Sequence, residues 1–168
     1  LPGWSWGGFV WMQGEGDANG TMGPQGVYLN KLKRLAAWVR ERTGTAALPI
    51  VIGRISSQLS PAIVRETGML RISRSKAPDG KGMADNADHL DDGRPRGPIW
   101  FEQKLRNVRA DQQAFCAADP CAAWVDIDDL VLRDAWHYDA AGYAEMGRRF
   151  AAAYRSLTGT PRARTPAR

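Results

Sequence analysis

Pro49-Ile50-Val51-Ile52-Gly53-Arg54-Ile55 is an unbroken apolar run rather than an alternating one. A strand of that kind is buried on both faces, as in a parallel sheet covered by helices on either side. Working outward, Phe9-Val10-Trp11-Met12 is a second short run, bounded by Gly7-Gly8 and Gly14, and Ala122-Ala123-Trp124-Val125-Asp126-Ile127 is a third. From Gln25 to Thr43, Leu32, Leu35, Ala36 and Val39 recur at helical spacing, Lys31, Lys33, Arg34 and Arg40 face out, and Gly44 is the stop. Pro98 opens another helix, with Phe101, Leu105, Val108, Gln112 and Phe115 as its inward stripe. A last helix begins after Asp139, its N-cap, carries Tyr143, Met146, Phe150, Tyr154 and Leu157 inward, and stops at Gly159. Three strand-helix pairs in succession predict right-handed crossovers and an α/β fold of three layers, α/β/α, with ligands bound beyond the carboxyl ends of the strands.

The chain has 168 residues, 43% of them apolar, enough for one compact domain. No stretch approaches the roughly 18 uninterrupted apolar residues of a membrane span. The start, Leu1-Pro2-Gly3-Trp4, has neither a Met nor the basic residues of a secretion signal, so we expect further sequence upstream. Net charge is +5, but Arg162, Arg164 and Arg168 sit in the tail 160–168, leaving +2 for the rest, and no aromatic is interleaved with a Lys/Arg stripe. A nucleic-acid partner is therefore not expected, and the seven Trp are read as sugar-stacking or core residues. Cys116 and Cys121 flank Asp119-Pro120, a spacing that suits either a disulfide or two buried thiols. With two His in the chain, and Leu90 and Ile99 where an EF-hand would need ligands, no metal site is expected. Residues 68–97, rich in Gly, Asp, Lys and Arg, read as a long loop or insertion, and 160–168 as a disordered tail.

Chemistry concentrates at two strand ends. Trp11-Met12-Gln13-Gly14-Glu15-Gly16-Asp17 leaves the first strand, and Asp134-Ala135-Trp136-His137 follows the third. A carboxylate three residues ahead of a His on a loop can hold the imidazole Nδ1-H, fixing the tautomer and leaving Nε2 as a base.

The run from Asp134 through Tyr138-Asp139-Ala140-Ala141-Gly142-Tyr143 to Met146-Gly147-Arg148-Arg149-Phe150-Ala151 resembles the closing segment of SGNH hydrolases. Trp11 to Asp17 is similar to the Trp-x-Gln-Gly-Glu-x-Asp signature of the sialate O-acetylesterase and plant-type carbohydrate-esterase branch, and Val108-Arg109-Ala110-Asp111-Gln112 to its Val-Arg-x-x-Gln. The resemblance implies a flavodoxin-like SGNH domain over 1–159 that lacks its N-terminal strands. It implies deacetylation of an acetylated carbohydrate through a Ser acyl-enzyme, without cofactor, with His137 as general base and acid, and Asp134 its orienting partner. Gln13 stands near the oxyanion donors, Gly14 and Glu15 complete that loop, and Gln112 is structural. Export is the localisation the resemblance carries; the compartment stays open.

The family's Gly-x-Ser block is not visible. Gly3-Trp4-Ser5-Trp6-Gly7 fits a nucleophile elbow in letters alone, since that elbow needs a strand before the Ser and a helix after it. Ser56, Ser57 and Ser60 read as turn or cap residues. The alternative is a catalytically inactive carbohydrate-binding module using Trp4, Trp6, Trp11 and Trp136. On either reading the outer edge of Phe9 to Met12 is unpaired, which predicts self-association through that edge.

Overall fold

A computed structural model describes residues 5–19, 25–58, 98–133 and 137–159. Asp134, Trp136, Trp4, Ser60, the segment 68–97 and the tail 160–168 lie outside the described residues.

The order is β1 (Phe9–Met12), α1 (Glu15–Asn19), α2 (Val27–Thr43), β2 (Ile50–Gly53), α3 (Pro98–Ala118), β3 (Ala122–Val125) and α4 (Ala140–Thr158). The strands form one parallel sheet in the order β1-β2-β3, with Phe9 opposite Ile50 and Ile50 opposite Ala122. All four β2 residues are buried, as its unbroken apolar run requires. Ile50 and Ile52 face a core built with Tyr28, Leu32 and Ala36 of α2 and Leu105, Val108 and Phe115 of α3. On the opposite face Met12 and Phe150 join Ile127, Leu130, Tyr138 and Met146 beneath α4. A Cβ on Gly53 would stand 3.0 Å from the Phe150 ring, so that close approach of strand and helix needs glycine. The α/β/α layering expected from the sequence is therefore present.

Helix ends follow local chemistry. Gly44 and Gly159 both adopt the left-handed conformation, φ 64°, that ends a helix, and the Asp139 side chain accepts from Gly142 N to start α4. The start of α2 is different: Gly26 caps it at φ 94° with no side chain to give. Asp111 of α3 supplies the missing carboxylate, accepting from Gly26 N at 3.0 and 2.9 Å and from Leu29 N at 3.0 Å.

Several expectations need correction. α2 begins at Val27, two residues later than expected. Arg40 does not face out; it pairs bidentately with Asp119, at 2.6 and 3.2 Å, because Asp119 and the Leu48 carbonyl both lie within reach of its fork. Tyr143 is 49% exposed, turned off the inward stripe and packed edge-on against Tyr138 at 5.9 Å. An aromatic does interleave with cations: Trp38, 54% exposed, shares a face of α2 with Lys31, Arg34 and Arg42. Both cysteines are free thiols, and burial pushes Cys116 up to about 12. Among the described residues no helix is long and apolar enough to cross a membrane, and no group of His, Cys, Asp and Glu could hold a metal ion.

Candidate active site

Because the strands are parallel, everything that follows them emerges at one edge. Gln13-Gly14-Glu15 leaves β1, Arg54 to Gln58 leaves β2, and Asp126 to Arg133 leaves β3.

The first segment, expected as a loop, winds into a short helix. Glu15 starts a single helical turn, with Ala18 N donating to Gly14 O at 2.8 Å. Gly14 sits at φ 149°, and a Cβ there would lie 2.9 Å from Val108 and 3.0 Å from Ile55, so glycine is demanded twice over. The carbonyl of Gln13 accepts from the Tyr28 hydroxyl at 2.8 Å and from Gln112 Nε2 at 3.0 Å. Its side-chain amide donates to Asp17 at 2.8 Å.

Gln112 is fully buried and joins two strand ends. Besides Gln13, Nε2 reaches Gly53 O at 3.4 Å, while Oε1 accepts from Ile55 N at 3.1 Å. The expectation that it is structural holds. Within Val108-Arg109-Ala110-Asp111-Gln112, every side chain except Ala110 is therefore engaged. Val108 packs on Gly14, Asp111 caps α2, Gln112 ties β1 to β2, and Arg109 grips the exit of β3.

That exit is clamped by three arginines from three elements. Arg109 pairs bidentately with Asp128, at 2.8 and 2.7 Å. Arg54 reaches Asp126 and Asp128 at 2.7 and 3.1 Å while stacking 4.4 Å over Trp124. Arg149 of α4 pairs with Asp129 at 2.6 Å through both nitrogens. Burial alone would raise the Asp128 carboxyl, but the Arg109 guanidinium and the Ser57 N–H outweigh it and hold it below the usual range. The Arg149 pairing brings Asp129 down to about 2. None of these pairings was read from the sequence. The motif containing Arg109 was the available signal.

Beyond the clamp the chain turns back on itself. Leu132 and Tyr138 form an antiparallel bridge, and Arg133 N donates to His137 O at 2.7 Å. His137 is thereby presented, exposed, at the carboxyl edge of the sheet. It lies within electrostatic reach of Glu15, whose carboxyl is raised by burial against the pull of its own N–H, that of Gly14 and the His137 charge. The first and third strand exits thus stand at the same edge of the sheet. Tyr138, next to His137, has a buried hydroxyl without a hydrogen-bond partner among the described residues, and burial raises its phenol.

Ser56 is the turn residue expected. It is 1% exposed, its hydroxyl accepting from Gln58 N at 3.0 Å. Ser5 precedes β1, beside Gly7 and Gly8, which pack on Tyr154 near the far end of α4; it therefore stands at the sheet edge opposite His137. The elbow reading of Ser5 fails on this ground, and a strand rather than a helix follows it.

A search of curated proteins gave no match. The model of the sialic acid-specific acetylesterases matches residues 5–92, which include β1, the Gln13-Gly14-Glu15 turn and β2, and ends before the His137 hairpin. A match over more than half of the chain, on a parallel α/β sheet of the expected order, places this chain in the sialic acid-specific acetylesterase family of carbohydrate esterases.

Proposed function

We propose that the chain carries the acid-base half of a carbohydrate O-acetylesterase centre, with His137 as general base and then general acid and Asp134 orienting it. The observation that supports this reading is that His137 is exposed at the carboxyl edge of the sheet, the edge at which the Gln13-Gly14-Glu15 turn also emerges. A serine hydroxyl attacks the acetyl carbonyl and passes its proton to His137 Nε2. The tetrahedral intermediate then expels the sugar oxygen, which takes that proton, and water repeats the cycle on the acyl-enzyme. The Gln13 amide nitrogen has two hydrogens and gives one to Asp17, so the other can meet the oxyanion, a contact worth ~3 kcal/mol of barrier. Glu15 holds the turn. In this proposal the nucleophile comes from a Gly-x-Ser block upstream of Leu1, on a strand that pairs with the open edge of β1.

The test is acetate release from O-acetylated sialic acid by the longest in-frame protein containing this chain. We expect turnover that falls at least about a thousandfold in His137→Ala and about ten-thousandfold in Asp134→Asn. Turnover unaffected by His137→Ala would overturn the assignment. Ser56 is buried and Ser5 lies at the far edge, which favours a second reading for residues 1–168 alone: a carbohydrate-binding module without hydrolysis. A saturable sugar complex with no acetate release from any length of the protein would establish it.

A further inference from the structure

Lys31, Arg34, Trp38 and Arg42 follow one another at intervals of three, four and four, so they fall on one face of the 17-residue helix α2. The opposite face buries Tyr28, Leu32 and Ala36, and does not involve them. Trp38 is left 54% exposed, with the Arg42 guanidinium 5.8 Å from its ring centroid. Beside it is a shallow depression of ≈ 510 Å³ lined by Lys31, Arg34, Leu35, Ala37, Trp38 and Glu41. Three cations against Glu41 and, at the Lys31 end, Asp17 leave this face net positive. At ~1.5 Å per residue, Lys31 and Arg42 are ~16 Å apart along the axis.

The stripe starts at the candidate site. Lys31 Nζ lies 3.7 Å from Asp17, whose other oxygen takes the Gln13 amide at 2.8 Å. A ligand along α2 would therefore lead into the turn where the acetyl group is to be attacked. A single-stranded nucleic acid needs successive aromatic platforms, and this face offers one ring bordered by Leu35 and Ala37, which suits the C–H face of a sugar. Guanidinium forks match a carboxylate bidentately.

We propose that this face of α2 is a track for a chain of carboxylated sugars, with one ring on Trp38 and carboxylates on Arg34, Lys31 and Arg42. The proposal takes its ligand class from the carbohydrate-esterase reading, but binding is read without turnover by using a probe that carries no acetyl ester. A short sialic acid oligomer is titrated into the protein by calorimetry at low salt, beside its carboxyl-reduced counterpart and an oligonucleotide of equal charge. Saturable binding of the oligomer is expected, at least tenfold weaker after carboxyl reduction and at least tenfold weaker in Trp38→Ala and in Arg34→Glu. Both residues are exposed, and unchanged thermal unfolding by circular dichroism shows that each variant is folded. Equal binding by wild type and both variants, or tighter binding of the oligonucleotide, overturns the track. Oligomer binding that needs Trp38, in a protein that releases no acetate, overturns the esterase reading and leaves the track standing.

Discussion

Replacing Gln112 by Glu keeps the shape of the side chain and changes one donor into an acceptor at a fully buried position. Oε1 can still take Ile55 N, but the other terminal atom now faces the carbonyls of Gln13 and Gly53 at the distances Nε2 holds, 3.0 and 3.4 Å. An ionised carboxylate there would meet carbonyl oxygens in a site closed to water, so the introduced carboxyl takes up a proton and donates its O–H instead. Holding that proton at pH 7.5 against an ordinary Glu value near 4.3 costs about 4 kcal/mol, and at pH 4.5 about 0.6 kcal/mol. The sign follows from linkage: a carboxyl raised by folding is best tolerated below its unfolded value, and stability is lost as pH rises toward its folded value. Urea unfolding followed by Trp fluorescence, with wild type at the same pH as reference, should show a loss of about 4 kcal/mol at pH 7.5 and under about 1.5 kcal/mol at pH 4.5. Gln112→Leu serves as control, with a loss that does not vary with pH relative to wild type. If Gln112→Glu loses the same amount at both pH values, the carboxylate reaches water, and the tie between β1 and β2 is open to solvent.

Two further outcomes follow from named contacts. Asp111→Ala removes the carboxylate that caps α2 and should cost about 2 kcal/mol, with faster amide exchange at Gly26 and Leu29; exchange unchanged at those two amides would show that the cap does not depend on Asp111. Asp128→Asn should cost about 1–2 kcal/mol at pH 7. That penalty should shrink below about pH 4, because the wild-type carboxyl, held low by Arg109, itself loses its advantage as it takes up a proton. Parallel urea midpoints of the two proteins at pH 3.5 and 7 check the sign, and a penalty that grows on acidification contradicts it.

The parts legible in the sequence are those that a short window specifies. The four-residue strand Ile50–Gly53 announced its burial by lacking alternation, and Gly44, Gly159 and Asp139 announced helix ends because their chemistry acts within one turn. What stayed hidden depends on partners far away in the chain. Asp111 caps a helix 85 residues upstream, and Arg54 and Asp128 are 74 residues apart. A single sequence gives such residues no local mark beyond being charged. The Trp38 stripe was hidden differently: its spacing was readable, but the apolar residues that mark the helix, Leu32 and Ala36, belong to its buried side. For the site, the Asp134-x-x-His137 spacing and the Gln13-Gly14-Glu15 turn were both legible, and the structure sets His137 and that turn at one edge of the sheet. The Arg109–Asp128 clamp beneath them was not anticipated.

The Gln112 tie also sets a schedule for the ribosome. Its bond to Gln13 spans 99 residues, and the Asp111 cap on α2 spans nearly as many. Until α3 has left the exit tunnel, the first strand exit and the start of α2 are without the side chains that fasten them. At 5–20 residues per second that leaves roughly 5–20 seconds in which the Gln13 turn exists only as unassembled chain. The nascent segment ahead of α3, short of these partners, is the species a chaperone would meet.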